Sequence, residues 1–415
     1  MKKLFYKITA LLCGPRIVAW ILVHFELQDQ ICLGKPAILV HSRSIFSKDI
    51  TSLKHSEALQ YIILSNGLLS AIQGVWLPIE AQNQTYYFNQ LKERTGGWVT
   101  CNLFADNVLS ILQEKCALLG VLSANFDYWQ DAAFRNACER SEISFMVLRR
   151  ENEATRKAFN QSLQRYRDVQ IGNIDLALTF SESSKLLLKS IDSNGLSFRK
   201  IEVTGPPRLD RNTSVIANDQ LETKDTIVLF SYINGNYCED PRNFWEVLVF
   251  LYQFTLKEDR DLLIKCKSER DRQILMNEFP SYSLDPGKVS WSVRETTAQA
   301  VSRACCAVSF NSTVLYELLS MPVPLVVPFV YVSENEMNDA ILYDARGAEE
   351  ASGVFHAISI EEFGESIQKA LSLQGNIDVS HEVRSRLREK GLSWHPHKSS
   401  SQRVAEAILA YKKIL

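Results

Sequence analysis

"CCAVSFNSTVLYELLSMPVPLVVPF", residues 305–329, decides the fold. A short apolar run, "CCAVSF", gives way to the small polar residues Asn311, Ser312 and Thr313, then to a helical pattern near 312–320, then to a second apolar run, "PLVVPF". Short continuous apolar runs bounded by polar or turn residues read as strands buried on both faces. Strand, helix and strand in succession make a βαβ crossover, the unit of a parallel sheet. Ligands of open parallel sheets bind beyond the carboxyl ends of the strands. Polar residues that directly follow apolar strands are therefore the candidates for chemistry.

Outward from this unit the same alternation continues. Upstream lie "TIVLFSY" (226–232), a helical pattern over 242–256, "DLLIKCK" (261–267), a helix near 268–277, "KVSWSV" (288–293) and a helix near 296–303. An earlier series holds "AILVHS" (37–42), a helical stretch near 56–72, "LLGVLSA" (118–124), "SFMVLRR" (144–150), "IDLALTF" (174–180) and "IEVTG" (201–205), with helices expected from Asp131 to Arg140 and Ala154 to Tyr166. Gly205, Pro206, Pro207 and a polar run separate the two series. A chain of 415 residues also exceeds the ~250–300 at which single cores stop growing. The expected fold class is α/β, with two Rossmann-like domains facing a cleft. The expected divisions are an amphipathic segment (1–30), a first domain (31–212), a second domain (213–395) and a C-terminal helix (396–415) that docks on either domain.

Lys+Arg 46 against Asp+Glu 48 gives a net charge of -2, and no block of like charge is present to track a phosphodiester backbone, so nucleic acid is not an expected partner. Nine unpatterned cysteines suit a reducing cytosol better than a disulfide framework or a zinc site. At the start, Lys2, Lys3, Lys7 and Arg16 stand beside Leu4, Phe5, Ile8, Leu11, Leu12, Ile17, Trp20 and Ile21, while Gly14 and Pro15 interrupt the apolar run. The stretches are too short to span a bilayer. Two readings remain open: a helix lying on an anionic membrane surface, with contact through residues 1–25, and a helix docked on the protein's own core. The expected location is cytoplasmic, peripheral at the inner face of the cytoplasmic membrane.

The strand ends carry the candidate residues. Asn311, Ser312 and Thr313 open a helix, where unsatisfied N–H groups favour an anion such as phosphate; an ordinary N-cap explains one of the three equally well. Glu317, in the first turns of that helix, is placed for a ribose hydroxyl or for solvent. Lys265 and Lys267 share a strand face by period-two alternation, suited to a phosphate or a sugar carboxylate, or to snorkelling into water. Glu151 follows "SFMVLRR" as a candidate general base, or as an acid favoured at a helix start. Asn125 and Asp127 follow "LLGVLSA", and His41 and Arg43 follow the first strand, as acceptor-side candidates; a single His at such a place also serves structure alone. No G-x-G-x-x-G, P-loop, G-x-S-x-G or metal-spaced His cluster occurs. Asp259-Arg260-Asp261 precedes its strand rather than following it, so a metal-independent reaction without a cofactor is expected.

Together, "VTGPPRLD", "LLIKCK" and "SFNSTVLYELLSMPVPLVVPF" resemble the second half of GT-B glycosyltransferases of bacterial surface-polysaccharide pathways. "LSANFDYWQDAAFRNACERSEISFMVLRREN" resembles the first-domain region of a subset similar to the retaining β-Kdo glycosyltransferases, which use CMP-Kdo. The resemblance covers roughly residues 37–330. It implies a nucleotide-sugar donor in the second domain, with Ser309, Asn311, Ser312 and Thr313 near the phosphate, Lys265 and Lys267 beside the sugar or its carboxylate, and Arg208 of "VTGPPRLD" in the same set. It implies that Glu151 acts in the first domain, although Arg149-Arg150-Glu151 stands where relatives often show His-Lys-Glu. It also implies a carboxylate nucleophile near "IVLFSYINGNYCED", where Asp240 is the candidate. The function expected is transfer of a sugar, Kdo from CMP-Kdo, to a growing glycan or glycolipid of lipopolysaccharide or capsule. The alternatives are polyol-phosphate transfer, nucleotide-sugar epimerisation, and a non-catalytic GT-B-like partner subunit.

Overall fold

The structure, a computed structural model, describes residues 1–43, 46–83, 96–150, 156–166, 172–192, 196–210, 225–232, 241–310, 312–331, 347–373, 377–378, 381–393, 395 and 398–412. The chain forms two compact units: Met1–Asn152 with Gln161–Asp210 and His395–Leu415, and Glu153–Asn160 with Arg211–Trp394.

The first unit is built on β1 (Ala37–Ser42), β2 (Gln60–Ser65), β3 (Leu118–Ser123), β4 (Ser144–Leu148), β5 (Gly172–Thr179) and β6 (Leu196–Val203). All pair in parallel, in the order β2-β1-β3-β4-β5-β6. The helices of this part of the chain are α1 (Lys2–Leu12), α2 (Pro15–Leu22), α3 (Ser47–Leu53), α4 (Asn66–Trp76), α5 (Ile79–Asn83), α6 (Gly97–Lys115), α7 (Ala132–Ser141), α8 (Arg156–Tyr166) and α9 (Glu182–Ile191). Ile38, Leu39 and Val40 of β1 are fully buried, because parallel strands between helical layers have no wet face.

The second unit holds β7 (Thr226–Phe230), β8 (Asp261–Lys265), β9 (Ser290–Ser292), β10 (Ala304–Ser309), β11 (Leu325–Pro328) and β12 (Val354–Ala357). These are also all parallel, in the order β12-β11-β10-β7-β8-β9. Its helices are α10 (Pro241–Lys257), α11 (Glu269–Glu278), α12 (Thr297–Ser302), α13 (Thr313–Leu318), α14 (Glu349–Ser352), α15 (Ile360–Ser372) and α16 (Glu382–Leu392). Arg384 of α16 is fully buried and donates to the carbonyls of Ser352 (2.5 Å), Met321 (2.8 Å) and Val323 (2.8 Å), which pins the loops around α13 and β12. The last helix, α17 (Ser400–Lys412), returns to the first unit. Its opening amides at Ser400 and Ser401 donate to the carboxylate of Asp210 at 2.7 and 2.9 Å, a favourable place for a negative charge.

Two Rossmann-like sheets are thus present, as the alternation of apolar runs predicts. One of the expected elements differs in type. The helix expected over 56–72 is strand β2 followed by α4. Within "QYIILS" the four residues "YIIL" are an unbroken apolar run, so their period does not distinguish helix from strand. Pairing with β1 from Ala37↔Gln60 to Ser42↔Ser65 makes it an edge strand.

Candidate functional site

In a doubly wound sheet the ligand crevice opens where the strand order reverses. In the first sheet that point lies between β1 and β3, the neighbours on either side of the reversal. In the second, strands renumbered from β7 run 3-2-1-4-5-6, the dinucleotide-fold order, and the reversal lies between β7 and β10. Each unit therefore has a topologically defined site of its own.

At the first switch point, β1 delivers His41 and β3 ends in Ser123. Asp131 sits between them, in a turn of 3-10 helix (Trp129–Asp131) that leads into α7. His41 Nδ1 lies 2.6 Å from Asp131 Oδ1, and Ser123 Oγ donates to Asp131 Oδ2 at 2.5 Å. All three side chains are buried, Asp131 completely. The carboxylate oxygen opposite Nδ1 assigns the Nδ1–H tautomer, which leaves the lone pair on Nε2. That Nε2 is buried and has no hydrogen-bond partner among the described residues. The Phe134 ring packs against the imidazole in a T-shaped pair, with ring centroids 4.6 Å apart. Asp131 is the N-cap residue of α7 yet makes no capping bond; its carboxylate is diverted to His41.

Arg43 continues the site. Its Nη2 donates to Gln130 Oε1 at 2.8 Å and its guanidinium lies 3.3 Å from the centroid of the Tyr128 ring. Gln130 is held from α4, donating to Ser70 Oγ at 3.0 Å and accepting at its carbonyl from Gln73 at 3.1 Å. Asn125 Oδ1 accepts from the Phe126 amide at 2.9 Å, a local turn. Asp127 is buried, 3.5 Å from the Tyr166 hydroxyl and 3.8 Å from Arg165. Arg149 is fully buried over the rings of Phe126 and Tyr166. Arg208 belongs to this unit as well. Its amide and guanidinium face the buried Asp49 at 3.2 and 3.5 Å, beside Arg150 Nε at 3.1 Å.

At the second switch point, Ser309 closes β10 opposite Phe230 of β7 and donates to the Phe310 carbonyl at 3.2 Å. Ser312 is the N-cap of α13, without a side-chain capping bond, and α13 spans only six residues. So short a helix contributes little dipole. Glu317 Oε2 accepts from Thr297 Oγ1 at 2.6 Å, which ties α13 to α12. Lys265 is the last residue of β8, and its Nζ donates to the carbonyls of Cys266 (3.1 Å) and Val293 (3.0 Å). Lys267 lies past the strand end and is exposed, so the two lysines do not share a strand face as the alternation predicts.

Glu151, Asp240 and Asn311 lie outside the described residues, as does the side chain of Thr313. Among the described residues no group of three or more His, Cys, Asp or Glu is placed to hold a metal ion. The sequence reading named His41 and Arg43 but missed Ser123, Gln130 and Asp131. The partners of His41 stand 82 and 90 residues away, a separation that only the β1–β3 pairing closes.

No known family profile and no curated protein matches the chain. Solved structures do. A candidate UDP-N-acetylglucosamine 2-epimerase from Listeria monocytogenes aligns over 92% of this chain and 97% of its own, at 13% identity and a TM-score of 0.54. The MnaA-UDP co-structure from S. aureus aligns over 92% and 98%, at 12% identity and a TM-score of 0.51. A glycosyltransferase from Rickettsia africae aligns over 92% and 99%, at 13% identity and a TM-score of 0.51. At these identities the likeness is one of fold: the chain has the GT-B architecture of two Rossmann-like units.

Proposed function

We propose that the chain is a glycosyltransferase that uses a nucleotide-sugar donor, held by the second unit, and deprotonates an acceptor hydroxyl with the first. The observation that carries this reading is the His41–Asp131–Ser123 relay at the β1–β3 switch point. An imidazole oriented through Nδ1 by a buried carboxylate, with its other nitrogen unpartnered among the described residues, has the form of a general base. In the proposed step the acceptor O–H proton passes to His41 Nε2 and the acceptor oxygen bonds to the anomeric carbon. The bond from that carbon to the phosphate oxygen breaks, and the electron pair leaves on the nucleotide.

On the donor side we assign Ser309, Asn311, Ser312 and Thr313 to the phosphate, Glu317 to the ribose, and Lys267 and Lys265 to the sugar or its carboxylate; Arg208, held against Asp49 in the first unit, is left out of this set. In its specific form the donor is CMP-Kdo and the product a lipopolysaccharide or capsule glycan. Glu151 and Asp240 keep the roles of base and nucleophile that a retaining route requires. The anomeric configuration of the product separates the routes: inversion supports His41 as base in a single displacement, and retention supports Asp240.

The second reading is a nucleotide-sugar epimerase, favoured by the structural likeness to the Listeria monocytogenes protein. Incubating the purified chain with CMP-Kdo and UDP-sugars, with and without glycan acceptors, tests both. Nucleotide release that depends on an acceptor supports transfer. A donor altered without any acceptor supports epimerisation, and a chain that binds none of these nucleotides sinks both readings.

A further inference from the structure

The eighteen exposed large apolar residues among those described are not scattered: nine of them, Met1, Leu4, Phe5, Ile8, Leu11, Leu12, Ile17, Trp20 and Phe25, fall in the first 25 residues. Isolated exposed apolar side chains need no explanation, whereas a contiguous group of this kind marks a binding surface. On α1 the buried residues are Tyr6, Thr9 and Ala10, one face of a 3.6-residue helix. Leu4, Ile8, Leu11 and Leu12 recur at intervals of three and four and so share the opposite face. The helix is thus apolar on both sides. Its inner side is fixed, since α1 packs on α4 and the Trp76 indole N–H donates to the Ala10 carbonyl at 3.1 Å. The neighbouring α2 packs on α6 through Val18, Ala19 and Leu22 and leaves Ile17 and Trp20 outside.

We propose that the outer faces of α1 and α2 dock on an anionic lipid bilayer. The charges choose this occupant. Lys2, Lys3, Lys7 and Arg16 are exposed on the same two helices, and the adjacent acid, the half-buried Glu26, is already paired with Lys2. Lysine and arginine beside an apolar stripe, with a tryptophan among its members, is the pattern of a helix seated at the headgroup boundary. A second copy of the same face would bring cation against cation. The helices have 11 and 8 residues, and among the described residues no helix is long and apolar enough to cross a membrane. The contact is therefore with one leaflet.

Flotation of the full chain with phosphatidylcholine vesicles, with and without phosphatidylglycerol, tests this without any assay of catalysis. The wild type is expected to float with the anionic vesicles and to be released by salt. Lys3→Ala and Lys7→Ala are each expected to lower partitioning about fivefold, and Ile8→Glu with Leu12→Glu to abolish it. All four side chains are exposed, and a thermal melt checks that each variant stays folded. Equal flotation with neutral vesicles, no flotation at all, or a dimer in light scattering that Leu12→Glu disperses would each overturn the proposal.

Discussion

His41 Nδ1 and Asp131 Oδ1 stand 2.6 Å apart in the interior of the first unit, joining the end of β1 to the turn that follows β3. Ser123 supports the far oxygen of the same carboxylate, so the imidazole has one orientation and one tautomer. A histidine kept only for structure would be expected to use both ring nitrogens once buried, because an unmade hydrogen bond at a buried polar atom costs about 1–3 kcal/mol. Among the described residues His41 leaves Nε2 unmade.

If His41 is the base, His41→Ala lowers kcat about 10²- to 10⁴-fold and leaves donor binding by the second unit intact. Asp131→Asn gives a loss of the same order, since the two groups act together. Proton NMR supplies an independent readout. A downfield imidazole Nδ1–H resonance in the wild type, missing in Asp131→Asn, shows that the tautomer has been lost.

The two lysines of "DLLIKCK" are expected to separate. Lys265 Nζ caps two backbone carbonyls at the β8–β9 end, so Lys265→Ala lowers stability, at about 0.5–1.5 kcal/mol per hydrogen bond lost. Exposed Lys267 carries no such duty. Lys267→Ala should leave the urea midpoint in place while weakening a donor that bears a carboxylate more than one with a neutral sugar. Equal weakening of both donors, measured by calorimetry, removes the carboxylate assignment.

Most of the sheet framework was legible because parallel strands are apolar on both faces: "AILVHS" is β1 residue for residue, and "TIVLFSY" and "DLLIKCK" start with β7 and β8 and run two residues past their ends. β2 was not, because the apolar run "YIIL" has no period of its own and only Ser65-Asn66-Gly67 parts it from the apolar residues of α4; pairing to β1 fixes the strand. The site was half legible. Position after a strand singled out His41, but it also singled out Asn125, which serves a local turn. Asp131 read as a helix start, and nothing local in the sequence says that its carboxylate faces away from the helix it should cap.

Thiol chemistry supplies a prediction with a definite pH direction. Burial pushes the Cys101 thiol up to about 12 and lifts Cys138 and Cys306 well above the ordinary range. At pH 8 only about 10⁻⁴ of Cys101 is thiolate, the nucleophilic form. Peptide mapping after brief iodoacetamide treatment should find exposed Cys32 labelled and these three unlabelled until urea unfolds the chain. The same groups link stability to pH. A folded pKa above the unfolded one means that the native state holds the proton longer, so stability is complete below about pH 8.5 and falls as pH rises beyond it. The fall is about 1.4 kcal/mol per pH unit for each such thiol, and urea midpoints at pH 8 and pH 10 measure it.

Gly97 tests how closely α6 approaches α4. In a helix, Gly→Ala ordinarily stabilises by about 0.5–1 kcal/mol. At Gly97 a Cβ would lie 1.8 Å from the Trp76 carbonyl oxygen and 2.7 Å from its carbon, backbone atoms at the end of α4 that cannot step aside as a flexible side chain would. Forced overpacking costs about 1–3 kcal/mol, so the sign reverses and Gly97→Ala should lower the urea midpoint. Gly96→Ala is the control, since among the described residues its Cβ would meet nothing within 4 Å. The consequence reaches the site, because α4 also carries Ser70 and Gln73, which hold Gln130 and through it Arg43. Displacing α4 should loosen Arg43 from the Tyr128 ring, and activity in Gly97→Ala is expected to fall even at temperatures where the variant remains folded.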